Sequence, residues 1–451
     1  MSEILWGNHD LQELTFKEAV TEAKRCLSCT NPKCRAGCPI DNEIPDFIRE
    51  LANGNIGMAS AVIAQRSNLP GVCGRVCPHE KQCEGACVLS AQKKPIRIGQ
   101  LERFIADMDG ELELTPLPKS TIKGVVAVIG SGPAGLTVAG DLAKAGFKVT
   151  VFEAQPEPGG VLMYGIPEFR LPKDVVRKEI RKIERLGVEF KTSITVGENL
   201  FIDALLAEGY DAIFIGTGNS IAKTLDIEGK HLRGIIEATY LLQITTLALQ
   251  GSVDPDEIPI QEGDHVVVIG AGNVAIDAAR TAQRNHAATV SIIARESEAD
   301  FPALPSEVLA AKEEGIQFFP LQNPLRFHGG RKVTALECTS LEPIEPDIAP
   351  PTTLFSANKI ILAIGQRPAA RIISTTKGIE VTETGLLKRQ DTPFGMTTKR
   401  GVFFGGDVVH GPATVVRAMK DAKQVALGIA QYVEAKKLLE KCGLTAFFKE
   451  A

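Results

Sequence analysis

The sequence lacks the features that mark three common classes of protein. Its formal net charge is −5, so it shows none of the basic excess typical of nucleic-acid binders. It contains no run of 18 apolar residues, so we predict no transmembrane helix. Its opening residues, MSEILWGNHDLQELTF, have no basic stretch followed by an apolar one, so we predict no secretory signal. We therefore expect a cytoplasmic protein with no nucleic-acid or membrane partner.

The 451 residues, 44% hydrophobic and 23% charged, are enough for two to four globular domains. Residues 1 to about 108 are rich in cysteine and contain helix-like stretches such as IPDFIRELANGN. The polar segment 109–124 is typical of a linker. From Val125 onward, short apolar runs alternate with helical stretches, and this order predicts parallel sheets covered by helices.

Two glycine-rich motifs predict dinucleotide binding. In GSGPAG, Gly130 allows the tight turn, Gly132 lets the backbone approach a pyrophosphate and Gly135 lets the helix pack on the strand. Glu153 ends the next strand, where its carboxylate can accept hydrogen bonds from ribose hydroxyls. The second motif, GAGNVA from Gly270, follows the strand HVVVIG and opens another helix.

Eight of the ten cysteines lie in two runs, CLSCTNPKCRAGCP from Cys26 and CGRVCPHEKQCEGAC from Cys73. Zinc, disulfides and iron–sulfur clusters all use closely spaced cysteines, but structural disulfides are rare in the cytosol. A cysteine followed by proline, as at Cys38 and Cys77, is typical of ferredoxin-type runs. This favours iron–sulfur clusters and leaves zinc as the alternative. We interpret the isolated Cys338 and Cys442 as ordinary apolar or surface residues.

A third element, TTKRGVFFGGDVVHGPATVVRAM (397–419), resembles the late motif of flavoproteins with two dinucleotide sites. This resemblance implies that Asp407 holds the FAD ribityl chain and that the helix starting near Thr414 points at the flavin. The first glycine motif would then bind FAD and the second a nicotinamide. Residues 123–451 contain no closely spaced cysteine pair, so electrons must leave the flavin by another route.

The cysteine runs, GSGPAG, GGVLMYGIPEFRLPKDV (159–175), GAGNVAIDAAR and GGDVVHGPATVVRAM together resemble the small subunit of glutamate synthase and its relatives. Those relatives include the large subunit of electron-bifurcating ferredoxin:NADP oxidoreductase and the N-terminal half of dihydropyrimidine dehydrogenase. The resemblance implies an α-helical N-terminal iron–sulfur domain followed by α/β, glutathione-reductase-like FAD and NAD(P) domains. The implied bounds are 1–120 for a helical domain with two 4Fe–4S clusters, 121–222 and 365–451 for the FAD domain, and 223–364 for an inserted NAD(P) domain.

The same resemblance implies the site residues. One cluster would use Cys26, Cys29, Cys34 and Cys87, and the other Cys38, Cys77, Cys83 and Glu102, with Cys73 left over. The FAD contacts would be Gly130, Gly132, Pro133, Ala134, Gly135, Glu153, Gly160, Gly406, Asp407 and Thr414. The nicotinamide contacts would be Gly270, Gly272, Asn273, Val274, Arg295 and Glu296. We nominate no acid–base catalytic residue, because the cofactors carry the chemistry.

The choice between NADH and NADPH depends on the residues after the second strand of the NAD(P) domain. NADPH-dependent relatives carry two adjacent basic residues there, whereas this chain has Arg295 followed by Glu296. A carboxylate repels a 2′-phosphate but accepts a hydrogen bond from a free 2′-hydroxyl, so we predict a preference for NADH.

These observations predict an oxidoreductase subunit that passes electrons from NAD(P)H through FAD and two 4Fe–4S clusters to a second redox subunit in a hetero-oligomer. Relatives leave three overall reactions open, namely glutamate synthesis, NADH-dependent pyrimidine reduction and electron bifurcation. A diaphorase that needs no second subunit is a further alternative. A zinc- and nucleotide-binding regulatory protein is the alternative without enzymatic activity.

Overall fold

A computed structural model describes residues 13–109, 122–343, 349–369, 371–382 and 387–444. Most of the predicted linker at 109–124 and the first 12 residues lie outside these ranges. The chain forms two compact units. The larger unit comprises Leu11–Met163, Leu171–Ser220 and Pro368–Ala451, and the smaller contains Tyr164–Arg170 and Ile221–Arg367. The division into three domains stays a prediction.

The cysteine-rich region folds as short helices around an apolar core. The first helix begins at a capping box in which Thr15 and Glu18 satisfy each other's backbone N–H groups. Phe47, Leu51 and Leu101 are fully buried, and several cysteines pack against this core. The helices are α1 (Phe16–Ala23), α2 (Lys33–Ala36), α3 (Ile44–Ala52), α4 (Ile56–Ala64), α5 (Pro70–Val76) and α6 (Ile98–Met108), with 3₁₀ turns at His79–Lys81 and Val88–Gln92.

The next region of the larger unit alternates strands and helices, as its sequence pattern predicts. Its elements are β1 (Val125–Ile129), α7 (Pro133–Ala145), β2 (Lys148–Phe152), α8 (Val161–Tyr164), α9 (Lys173–Arg185), β3 (Glu189–Lys191), α10 (Ile202–Ala207) and β4 (Ala212–Ile215). Strand β1 is parallel to both neighbours, and Val126 pairs with Val149 and Ala212. Apart from the partly exposed Val125, β1 is buried, as expected for a central parallel strand.

The smaller unit repeats this strand–helix–strand order. Its elements are β5 (Ile221–Ala222), β6 (Ile235–Glu237), α11 (Ala238–Leu249), β7 (His265–Ile269), α12 (Asn273–Arg284), β8 (Thr289–Ile293), α13 (Pro305–Glu313), β9 (Gln317–Phe319), β10 (Gln322–Gly329), β11 (Val333–Ser340), β12 (Thr352–Ser356), β13 (Lys359–Leu362) and β14 (Gln366–Arg367). Five strands form a parallel sheet in the order β6-β13-β7-β8-β9. Strands β10, β11 and β12 form a separate antiparallel sheet.

A buried ion network fixes residues 164–170 in the smaller unit. The Arg170 guanidinium lies 2.9 Å from Asp277 on α12 and 3.0 Å from Glu307 on α13. The neighbouring Phe169 ring lies 3.8 Å from the Arg284 guanidinium carbon, a cation–π distance. These long-range contacts explain why a segment that is close in sequence to α8 and α9 belongs to the smaller unit.

The chain then returns to the larger unit. Its last elements are α14 (Arg371–Thr375), β15 (Arg389–Asp391), β16 (Phe394–Thr397), β17 (Val402–Phe404), α15 (Asp407–His410) and α16 (Val415–Lys441). The complete sheet has the order β15-β16-β17-β4-β1-β2-β3, with β17 parallel to β4. Because β1, β4 and β17 are parallel, the segments that follow them meet at the same edge of the sheet, where open α/β sheets bind ligands.

Candidate functional site

The turn between β1 and α7 is built for close backbone packing. A Cβ atom at Gly135 would lie 1.9 Å from the Gly130 carbonyl oxygen, so the helix can approach the strand this closely only with glycine there. Gly130 itself has a φ of +90°, in the region that favours glycine. A Cβ at Gly132 would meet no described atom within 4 Å, so the backbone there faces open space. Pro133 and Ala134 form the first turn of α7.

Glu153 lies directly beyond β2 and is 6% exposed. One carboxylate oxygen, Oε2, accepts hydrogen bonds from the Ser131 backbone N–H at 3.0 Å and from the Ser131 hydroxyl at 2.5 Å. The other oxygen, Oε1, accepts from the Gln155 N–H at 2.8 Å. Gly160 approaches the same turn, because its Cβ would lie 2.9 Å from the Gly132 Cα. The predicted ribose-binding carboxylate is therefore held rigidly beside the glycine turn.

The segment after β17 reaches this turn from the other side. A Cβ at Gly406 would lie 2.8 Å from the Ala134 Cβ, and the Gly406 N–H donates to Asp421 at 2.8 Å. Asp407 begins α15, and its carbonyl oxygen accepts from the Asn219 side-chain amide at 3.1 Å. The structure thus brings the early and late predicted FAD residues together.

Two buried polar atoms in this region support a fit to a polar cofactor. Thr414 is the N-cap of the 27-residue helix α16, and its Oγ1 has no hydrogen-bond partner among the described residues. The buried Oδ1 of Asn219 likewise lacks a partner in the described part of the chain. Burying such atoms without partners is costly, so a polar ligand at this edge would satisfy them. Asn219 was not among the predicted site residues, although it directly follows the glycine-rich Gly216-Thr217-Gly218 after β4.

The smaller unit contains the second glycine turn, between β7 and α12. Gly270 has a φ of +128°, and its Cβ would lie 2.5 Å from the Ala363 carbonyl oxygen. A Cβ at Gly272 would meet no described atom within 4 Å. Asn273 opens α12, and its side-chain oxygen accepts from the Leu304 N–H at 3.0 Å, whereas Val274 is exposed. Like the first turn, this turn has one glycine packed closely against a neighbouring backbone carbonyl and a second glycine whose backbone faces open space.

Arg295 and Glu296 follow β8, as predicted. Arg295 is exposed and Glu296 is half-buried. Within the described ranges, neither side chain forms an ion pair, so both charges are available at this strand end.

Four cysteines line one cavity in the helical region, and we call them the first sulfur group: Cys26, Cys29, Cys34 and Cys87. The cavity is partly open to solvent, with about 390 Å³ of space when the open part is counted, and it is otherwise lined mainly by apolar side chains. Lys33 is the one charged side chain among the described residues that line it. Burial raises the pKa of Cys34 to about 11, and the nearby Cys26 and Cys87 add to this effect. The Cys34 thiol is therefore protonated at neutral pH, and metal binding there would release its proton.

A second set, which we call the second sulfur group, consists of Cys38, Cys77, Cys83 and Glu102. Burial raises the pKa of Cys38 to about 11, with the Glu102 carboxylate contributing. Burial and the charge of Glu102 also raise the pKa of Cys83. Hydrogen bonding to Cys73 is the main cause of the raised pKa of Cys77, followed by burial. The Glu102 charge thus raises the pKa of all three cysteines of its group.

The carboxyl group of Glu102 is buried, which is unusual for a glutamate. It is 7% exposed, and burial, with a smaller contribution from Glu179, raises its pKa to about 8. Among the described residues, no hydrogen-bond donor or cation reaches its carboxylate. A buried carboxylate normally has such a partner, and a metal ion is one that would satisfy it. The environment of Glu102 therefore fits a cluster ligand.

Close helix packing creates the second sulfur group. A Cβ at Gly74 on α5 would lie 2.6 Å from the Arg103 N atom on α6. Glycine at this position lets α5 and α6 approach each other, which brings Glu102 beside Cys77. In the described part of the chain, no three His, Cys, Asp or Glu side chains converge on one point that could hold a single metal ion. In a 4Fe–4S cluster each ligand binds a different iron, so the ligands of a cluster need not converge on one point.

Comparison with known proteins connects this geometry to a family. Residues 124–422 match the family described as pyridine nucleotide-disulphide oxidoreductase. Residues 8–113 match the family described as dihydropyrimidine dehydrogenase domain II, 4Fe–4S cluster. Among solved structures, FprA from Mycobacterium tuberculosis in complex with NADPH has a TM-score of 0.57 at 18% identity, covering 71% of this chain and 86% of that one. That likeness concerns the fold.

Two curated relatives align over most of their length. The glutamate synthase [NADPH] small chain of Halomonas elongata is 35% identical over 93% of this chain and 91% of its own. The NAD-dependent dihydropyrimidine dehydrogenase subunit PreT of Salmonella typhimurium is 34% identical over 92% of this chain and 94% of its own.

The fold and its two glycine turns define the class of protein, an FAD-dependent oxidoreductase that uses NAD(P)H and has an iron–sulfur cluster domain. Within that class, the chain belongs to the family of the glutamate synthase small chain. The predicted fold class, enzyme class and family resemblance are confirmed. No described helix has the length and apolarity that crossing a membrane requires. The individual site residues stay predictions.

Proposed function

We propose that this chain is the electron-input subunit of a larger enzyme, which takes electrons from NADH and delivers them to a partner redox subunit. The observation that carries this proposal is the presence of two separate sulfur groups in the same unit as the FAD-type turn. When bound, the nicotinamide and FAD supply two-electron chemistry, and the clusters carry single electrons onward. Relatives named as a small chain and as a subunit support a partner for this protein.

We assign FAD to the sheet edge of the larger unit. Its proposed contacts are Gly130, Gly132, Pro133, Ala134, Gly135, Glu153, Gly160, Gly406, Asp407 and Thr414. The rigid position of Glu153 and the buried, unpaired Oγ1 of Thr414 support this assignment. The nicotinamide contacts proposed in the smaller unit are Gly270, Gly272, Asn273, Val274, Arg295 and Glu296.

We further propose two 4Fe–4S clusters, one in each sulfur group. The cavity of the first group and the unsatisfied carboxylate of Glu102 in the second support separate sites. The first group lies at the protein surface, beside the exposed Leu27 and Val88. The cluster that faces the partner would therefore be held by the first group.

The preference for NADH rests on Glu296. Steady-state kinetics with both nucleotides should give a kcat/KM for NADH about tenfold or more above that for NADPH, equivalent to about 1.4 kcal/mol. Glu296→Arg should move the preference toward NADPH because it replaces a repulsive charge with an attractive one. Glu313→Arg, which makes the same charge change at an exposed position of the smaller unit, should leave it unchanged. A strong NADPH preference in the unaltered protein would contradict the proposal.

The partner decides the overall reaction, and the relatives' names point to two different ones. Anaerobic co-purification from the native source should recover this chain with a second redox polypeptide. A glutamine-dependent synthase partner would indicate glutamate synthesis, and a flavin-containing barrel would indicate pyrimidine reduction. Full turnover of the isolated chain with a small-molecule acceptor would refute the requirement for a partner.

A further inference from the structure

Four lysines lie on or beside the opening of the first sulfur group, and we call them the basic rim: Lys24, Lys33, Lys93 and Lys94. Lys33 lines the cavity itself. Lys24 caps the end of α1, two residues before the first cysteine of the cavity. Lys93 and Lys94 directly follow the 3₁₀ turn Val88–Gln92, which begins at a lining residue. All four side chains are exposed, on a chain whose net charge is −5.

A long-range hydrogen bond holds two parts of the basic rim together. The Arg25 guanidinium donates to the Lys94 carbonyl oxygen at 2.8 Å, although the two residues are 69 positions apart. Lys24 directly precedes Arg25 in the chain, and Lys93 directly precedes Lys94. The positive charges of the rim therefore come from two segments that the fold brings side by side.

The charges of the basic rim are not neutralised within the described part of the chain, where none of its four side chains forms an ion pair. The nearby Glu22 is already paired with Arg25 at 2.6 Å. Elsewhere in the larger unit, lysines have carboxylate partners, as Lys423 does in Asp141 at 2.7 Å. Like charges without counter-charges create a positive potential, and such a potential attracts an acidic partner.

Two exposed apolar side chains lie at the same opening. Leu27 is 62% exposed and Val88 is 43% exposed, and both line the cavity. An apolar centre with a polar border is the usual anatomy of a protein–protein interface. The four cysteines of the first sulfur group line the same cavity and are each partly exposed. A protein that docks here would bring its own redox group close to the cluster proposed for that group.

We propose that the basic rim is the docking surface for an acidic redox protein, which receives single electrons from the cluster of the first sulfur group. Carboxylates around the partner's acceptor group face the four lysines, and apolar side chains at its centre contact Leu27 and Val88. The opposite charges speed the encounter and orient the two proteins. This inference rests on the proposed function and adds to it the charge of the partner.

The test uses two soluble haem proteins of opposite charge as one-electron acceptors, the acidic cytochrome b5 and the basic cytochrome c. One NADH reduces two molecules of either acceptor and releases one proton. With the purified protein and its cofactors, Lys24→Glu combined with Lys94→Glu should lower kcat/KM for cytochrome b5 by about tenfold or more. The value for cytochrome c should stay the same or rise. The loss should shrink as salt is added, because the screening length falls to about 3 Å at about 1 M salt.

Two controls accompany this variant. Reduction of FAD by NADH, followed by stopped-flow absorbance, should be unchanged, which shows that the variant is folded and loaded. Lys148→Glu makes the same kind of charge change at the exposed start of β2, in the same unit. It should leave kcat/KM for both acceptors unchanged.

Other results would overturn the inference. Unchanged kinetics with cytochrome b5, or equal losses with both acceptors, would mean that the rim does not select an acidic protein. Undiminished reduction of cytochrome b5 by a Cys34→Ala variant that retains FAD would mean that electrons leave elsewhere. Binding to phosphatidylserine vesicles that only the double variant loses, with unchanged cytochrome b5 kinetics, would assign the rim to a membrane surface. An unaltered protein without iron–sulfur clusters would instead refute the proposed function.

Discussion

The two sulfur groups share one helical region but differ in depth. Every member of the first group is partly exposed, whereas two of the four members of the second, Cys83 and Glu102, are buried at 6% and 7% exposure. The other two, Cys38 and Cys77, are partly exposed. The first group opens to a cavity beside exposed apolar side chains. Cys73, one helical turn before Cys77 of the second group, lies with its Sγ 3.6 Å from the Met419 Sδ on α16. The outer group is thus suited to a partner and the inner group to the flavin-binding part of the same unit.

This difference shows that order in the sequence does not define the sites. Cys34 and Cys38 are neighbours on and just beyond α2, yet they face different groups. Cys87 comes from the second cysteine run but completes the first cavity. The stretch CLSCTNPKCRAGCP therefore contributes cysteines to both sulfur groups, as the proposed ligand sets require.

Single cysteine substitutions test this division with the largest expected effect. Cys34→Ala and Cys38→Ala should each remove one cluster, lowering iron from about eight to about four per chain. Each should abolish a different EPR signal of the reduced protein, because the two residues serve different groups. Cys338→Ala is the control and should retain all the iron. Loss of the same signal in both variants would show that the division is wrong.

Glu102 provides the next test, because it is the proposed ligand that is not a cysteine. Glu102→Ala should remove the second cluster and so about four irons, because alanine provides no ligand atom. Glu102→Gln keeps a ligand oxygen and should retain the cluster with an altered EPR signal and midpoint potential. Full iron content in Glu102→Ala would rule out ligation by this residue.

Because the two groups differ in burial, the two proposed clusters should lose iron at different rates. A water-soluble iron chelator should remove iron in two phases, the faster one belonging to the partly exposed first group. The EPR signal that survives the fast phase should be the one missing from Cys38→Ala. A single phase, or earlier loss of the inner signal, would mean that exposure does not distinguish the two groups.

A charge substitution at the surface beside the first group should have the smallest effect of these tests. Lys33→Glu reverses the charge of the one charged side chain that lines the cavity among the described residues. It should slow electron delivery to the partner by about 2- to 10-fold, with strong salt dependence. Reduction of FAD by NADH, followed by stopped-flow absorbance, should be unchanged. Lys17→Glu, at an exposed position of α1, is the matched control. An equal effect of both variants would place the partner elsewhere.

Hydrophobic periodicity and glycine spacing, which depend only on neighbouring residues, predicted the strands, the helices and the glycine turns. The requirement for glycine at Gly130 and Gly135 follows from backbone geometry within six residues, so it can be read from the motif. The proposed cluster ligands could be named only from a family resemblance, because Cys87 and Glu102 reach their groups through helix packing. Arg170 was not predicted to lie in the smaller unit, since its partner Asp277 is 107 residues away. The contact between Cys73 and Met419 spans 346 residues and has no local signal.

The most direct test of this account is the iron and acid-labile sulfide content of the anaerobically purified, unaltered protein. Two four-iron clusters predict about eight irons and about eight sulfides per chain, together with bound FAD. Stoichiometric zinc in place of iron would instead support a zinc- and nucleotide-binding protein. About four irons would leave one of the two sulfur groups without a cluster and contradict the central claim.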